Sequence, residues 1–100
     1  MNQFGPYIRE LRIKQNIRQR QIAALLEADT AFVSKMEKGT RKPRREQVIL
    51  LADLFKTDKE ELLSIWLAEK VYDLIKDEEV ALKSLKTAEI NVKLKNKKTE

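Results

Sequence analysis

One hundred residues is the length of a single domain with one modest core, too short for a two-domain enzyme. Cysteine and histidine are both absent, which excludes a disulfide framework, a thiolate metal site, and catalysis by a histidine base or cysteine nucleophile. Charged residues make up 37% of the chain and the net charge is +5, so the expected partner is anionic.

Glycine and proline occur only at Gly5, Pro6, Gly39 and Pro43, and no stretch alternates with period two, so the chain reads as all-α. Pro6 suits a first helical turn. Tyr7, Ile8 and Leu11, with Ile13 as a further candidate, give an apolar stripe to about Gln15, where Asn16 ends the helix. A second helix is expected from about Gln19 to Leu26, turning Ile22, Ala23, Leu25 and Leu26 inward. Glu27 and Ala28 form a short turn, and Asp29 is an expected N-cap for a third helix, Thr30 to Lys38. That helix offers only Phe32, Val33 and Met36 for burial, and Gly39 is its natural C-terminal cap. Its other face must meet something outside the core.

Pro43 opens a fourth helix, roughly Arg44 to Phe55, with Val48, Leu51, Ala52 and Phe55 on one face and Ile49, Leu50 and Leu54 widening it. Asp58 followed by Glu61 matches a capping box for a fifth helix carrying Leu62, Leu63, Ile65, Trp66, Leu67, Val71, Tyr72, Leu74 and Ile75. Asp77 is the expected cap of a sixth helix, Glu78 to about Val92, with Val80, Leu82, Leu85 and Ala88 as contacts. Lys93 to Glu100 reads as a disordered lysine-rich tail. No apolar run approaches the roughly 20 residues of a membrane span, and Met1 to Arg9 lacks the order of a signal peptide, so a cytoplasmic protein is expected.

Charge is distributed unevenly. Residues 1–57 carry 12 basic and 6 acidic side chains (+6), residues 58–92 carry 5 and 9 (−4), and residues 93–100 carry 4 and 1 (+3). Within the first part, Lys35, Lys38, Arg41, Lys42, Arg44 and Arg45 fall in eleven consecutive residues against one acid, Glu37. Such clustering is the footprint of phosphate binding. Two short helices joined by a tight turn, the second followed by a basic loop, have the geometry to place a helix in a groove about 12 Å wide. Ala23 is the small residue that lets the two helices cross closely.

The run Ile17-Arg18-Gln19-Arg20-Gln21-Ile22-Ala23 followed by Ala28-Asp29-Thr30-Ala31-Phe32-Val33-Ser34-Lys35-Met36-Glu37-Lys38-Gly39 resembles the Cro/C1-type (XRE) helix-turn-helix family over about residues 4–65. The resemblance implies a lambda-repressor-like bundle of about five helices with a C-terminal helical extension. It departs from the family at Glu27, where a glycine usually takes a left-handed turn, at a cost of about 1 kcal/mol. By the same resemblance, Gln19 contacts a phosphate and braces the recognition helix, and Thr30, Ala31 and Lys35 reach base edges. Ser34 contacts base or phosphate, and Arg12 pairs with Glu37. Chemistry gives these roles content. Lys35 donates to guanine N7 and O6, Thr30 donates or accepts, and the Ala31 methyl meets a thymine methyl. Lys38, Arg41, Lys42, Arg44 and Arg45 would hold the backbone without reading sequence.

The fifth helix carries more apolar surface than a four-helix core would cover. This points to a homodimer, with Leu62, Ile65, Trp66 and Tyr72 as its candidate interface. The expected organisation is a DNA-binding core over 1–57, an extension over 58–92 that completes the core and dimerises, and the tail. The expected function is a sequence-specific regulator, repressor or activator, of double-stranded DNA with a two-fold symmetric operator. Its compact size with a helical extension is similar to that of restriction-modification controllers. The alternative is an antitoxin-type module whose residues 78–100 fold on a partner protein. No catalytic residue, metal, cofactor or small-molecule effector is expected. Glu60 with Glu61, and Asp77 to Glu79, sit at helix starts where carboxylates favour the dipole.

Overall fold

Residues 3–99 are described by this computed structural model, and all their regular structure is helical: α1 (Phe4–Lys14), α2 (Gln19–Leu25), α3 (Thr30–Lys38), α4 (Arg45–Phe55), α5 (Lys59–Ile75) and α6 (Ala81–Thr99). Helix α1 has no acidic residue in its own first turn, and Glu69 of α5 supplies one. Its Oε1 accepts from the Phe4 amide at 2.8 Å and from the Gln3 amide, which lets α1 begin two residues before Pro6.

Helices α2 and α4 start alike. In each, a glutamine at the third helical position folds back to the amide before the helix: Gln21 Oε1 accepts from Arg18 N at 2.7 Å, and Gln47 Oε1 from Arg44 N at 2.9 Å. This is half of a capping box, since arginine has no side-chain acceptor to return the bond. Asp29 Oδ1 accepts from Phe32 N at 2.8 Å and Asp58 Oδ1 from Glu60 N at 3.2 Å, as N-caps do. Helix α3 closes on Gly39 at φ 86°, with Thr40 N donating to Lys35 O at 3.0 Å.

The helices pack as α1 on α3, α2 on α3, α4 on α5 and α1 on α5. Between them lie Phe4, Ile8, Ile22, Ala23, Leu26, Val33, Met36, Val48, Leu51, Ala52, Phe55, Leu62 and Trp66. Each large member contributes about 1.5–3 kcal/mol by leaving water. Gly5 marks the closest approach: a Cβ there would stand 2.7 Å from Met36 O and closer still to Glu37 O, so only glycine lets α1 lie against the end of α3.

Several expectations need correction. Ile13 is 53% exposed and outside the core, because α1 turns only Phe4, Gly5 and Ile8 fully inward. Leu62 (1% exposed) and Trp66 (5%) cannot form a dimer interface, because they are core residues of the single chain and the Trp66 indole N–H donates to Pro43 O at 2.8 Å. Ile65 is half-buried and Tyr72 exposed. Asp77 does not cap α6: the chain after α5 closes two turns, Glu78 N to Ile75 O at 2.9 Å and Ala81 N to Glu78 O at 3.2 Å, and the helix begins only at Ala81, too far on for Asp77 to reach its first free amides. The stretch from Lys93 expected to be disordered is helical to Thr99, since the run from Ala81 has no glycine or proline and is rich in Leu, Lys and Ala. Glu100 lies outside the described residues.

Candidate nucleic-acid interface

The orientation of α3 is set by one buried carboxylate. Glu37 is 6% exposed, and burying its charge is tolerable only if its oxygens are paired. Arg12 Nε donates to Glu37 Oε2 at 2.7 Å, Arg12 Nη2 to Oε1 at 3.2 Å, and Gln19 Nε2 to Oε1 at 3.1 Å. Arg12 Nη1 also reaches Ile17 O at 3.3 Å. The end of α1 and the start of α2 therefore converge on Glu37, and Arg12 ties in the α1–α2 link.

With Val33, Met36 and Glu37 turned inward, the opposite side of α3 is decided. Thr30, Ala31, Lys35 and Lys38 are exposed and Ser34 is half-buried. At about 100° per residue these five share one arc of roughly 140°. The face is long enough for a groove, carries two cations, and has small residues where a base edge would approach. The turn before it contains Glu27 at φ 54°, a left-handed residue that is not glycine, with Ala28 N donating to Ala23 O at 2.9 Å. The departure seen in the sequence therefore retains the turn and carries its strain.

The basic residues after α3 have different surroundings. The Arg41 guanidinium lies over the Phe32 ring at 5.4 Å, at the mouth of a shallow cleft shared with Ala31 and Lys35. Arg44 is 71% exposed, with Glu46 at 3.4 Å. Arg45 lies over Trp66 at 5.7 Å, and Lys70 sits over the same ring at 3.8 Å. Lys42 is drawn away to Asp73 of α5, and the hydrogen bond from its ammonium holds the Asp73 carboxyl below the usual carboxylate value. The Trp66 to Pro43 bond fastens this loop to the core.

Gln19 is placed to brace α3 through Glu37, and its Nε2 carries a second N–H for another acceptor. Beside it, Arg9 and Arg18 border a concave surface with Arg12 and Gln19 at the start of α2. Sequence reading assigned neither arginine, because nothing but proximity in space distinguishes them from other solvated cations. It also missed Gly5, Glu69 and Gln47; the last is buried, with Nε2 3.5 Å from Leu26 O. Glycine next to proline at a helix start was the one available signal.

A short helix held at its base by a buried ion pair, exposed along one cationic face and followed by a basic loop, defines a DNA-binding helix-turn-helix module. Residues 3–64 match the helix-turn-helix domain family, and the chain belongs to that family. No curated protein and no solved structure matches it. Among the described residues, no helix is long and apolar enough to cross a membrane.

Proposed function

We propose that the chain is a Cro/C1-type (XRE) transcriptional regulator that binds a two-fold symmetric operator as a homodimer and represses or activates the adjacent promoter. The observation that carries this reading is the face of α3, where Thr30, Ala31, Ser34, Lys35 and Lys38 align away from the core. Helix α3 enters the major groove. Lys35 addresses guanine, and Thr30 and Ala31 address neighbouring base pairs. Lys38, Arg41, Arg44 and Arg45, with Gln19 at the start of α2, contact phosphates on either side. Lys42 joins them only by leaving Asp73. Binding, with no catalytic step and no effector, makes occupancy follow protein concentration. The short core with its helical extension also suits a controller of a restriction-modification operon.

Selection of binding sites from random DNA tests this reading. It is expected to return inverted half-sites about 10 base pairs apart. Affinity for the selected site should fall steeply with salt, and replacing Arg41 and Arg44 together by alanine removes four phosphate contacts from the dimer and should flatten the log–log slope by about 4. Failure to retain any DNA at low salt would overturn the reading.

A further inference from the structure

Helix α6 runs for 19 residues, yet it packs on no other helix as α1 to α5 pack on one another. Every described side chain from Leu82 to Lys97 is exposed. A lone helix of this length is marginal in water, because most helix stability in proteins comes from covering an apolar face. Such a face exists. Ala81, Leu85, Ala88 and Val92 recur at spacings of 4, 3 and 4 along one side.

The second half of α5 has a matching bare stripe. Leu67, Val71 and Leu74 follow the same spacing and are 47%, 38% and 79% exposed. Neither stripe covers the other within one chain. Their charges are opposed: residues 58–80 carry eight acids and three bases (−5), whereas residues 81–99 carry six lysines and one glutamate (+5).

From these observations we infer that α6 of one copy lies along the Leu67 to Leu74 face of α5 in a second copy, and that the exchange is reciprocal. The inference rests on the homodimer proposed above and names the surfaces that make it. Alternation of alanine with leucine and valine on α6 lets two helices approach closely and interlock. Charge selects the partner surface. Pairing α6 with α6 would set +5 against +5, while the exchange sets +5 against −5 and, with the two helices antiparallel, brings Lys83 and Lys86 towards Asp77, Glu78 and Glu79 of the other copy. The α3 face lies on different helices and stays open for DNA.

Sedimentation equilibrium of the full chain without DNA tests the exchange, with the unchanged melting transition of the core as the folding control. The natural chain is expected to be a dimer, and Leu85→Asp with Val92→Asp a monomer. Reversing the acceptor (Asp77→Lys, Glu78→Lys, Glu79→Lys) should weaken the dimer about tenfold or more, and reversing the arm (Lys83→Glu, Lys86→Glu) should do the same. Mixing the two reversed chains should restore it, since both exchanged contacts then pair opposite charges. An acceptor reversal that leaves the dimer intact, or a mixture that does not recover, overturns the exchange. So does a natural chain that is monomeric at micromolar concentration because α6 folds back on its own α5. A monomer that still binds the selected operator would sink the exchange but leave DNA recognition standing, and a dimer without DNA affinity would do the reverse.

Discussion

The helix-turn-helix core and the C-terminal arm are built from similar residues and solve opposite problems. In the core each helix buries one face and is tied to another segment by a bond that does not depend on sequence neighbours: Arg12 to Glu37, Gln15 Nε2 to Phe55 O at 2.9 Å, Trp66 to Pro43, Glu69 to the start of α1. In the arm, the apolar residues Leu82, Leu85, Ile90, Val92 and Leu94 are all exposed, and the hydrogen bonds from Thr87 and Lys93 stay within a single helix. The proposed regulator uses both kinds of surface: rigid placement of α3 rests on the first, and the proposed exchange between copies on the second.

The sharpest break in this comparison is expected at Arg12. Its removal leaves the Glu37 carboxylate buried with only Gln19 to satisfy it, so Arg12→Ala should cost about 3–5 kcal/mol in denaturant unfolding. A loss below about 1 kcal/mol would show that the pair does not organise the core. Gly5→Ala pushes a methyl into the backbone at the end of α3 and should cost about 1–3 kcal/mol, read the same way. Glu27→Gly acts in the opposite direction: it relieves a left-handed residue and should raise stability by about 1 kcal/mol, provided the φ of 54° is the strained feature. Smallest of all is the truncation of residues 81–100. At concentrations too low for dimers it should leave the core's unfolding free energy within about 0.5 kcal/mol of the full chain, because α6 contributes nothing to the core. A larger loss would mean the arm is part of the fold.

Legibility in the sequence followed the same division. The span of α3, its Asp29 cap and Gly39 stop, and the apolar set Ile22, Ala23, Val33, Met36, Val48, Leu51, Ala52 and Phe55 could all be read, because caps, glycine and helical spacing act within a few residues. The Arg12 to Glu37 pair was reachable only through family resemblance, since 25 residues separate its members. Leu62 and Trp66 were misplaced at an interface because apolar spacing marks a face for burial without saying against what. The roles of Glu69 at the start of α1 and Asp73 on Lys42 were invisible for a related reason: each depends on where α5 crosses another segment. Helix α6 was cut short because its lysines resembled a solvated tail, although lysine is a good helix former.

At the candidate site the sequence carried the chemistry and the structure supplied the selection. Lys38, Arg41, Lys42, Arg44 and Arg45 looked alike as phosphate ligands. Folded, Lys42 is held by Asp73 and Arg45 rests over Trp66, while Lys35 and Lys38 stand on the exposed side of α3.

The account stands or falls on whether that side of α3 reads base sequence. The direct measurement is the affinity of Lys35→Ala for the selected operator and for variants changed one base pair at a time, at fixed salt. Loss of discrimination worth about 1–3 kcal/mol at a single base-pair position in each half-site, with the other positions unaffected, is the predicted result. Uniform weakening across all the sequences would make Lys35 a phosphate contact and contradict the reading of α3 as the element that recognises sequence.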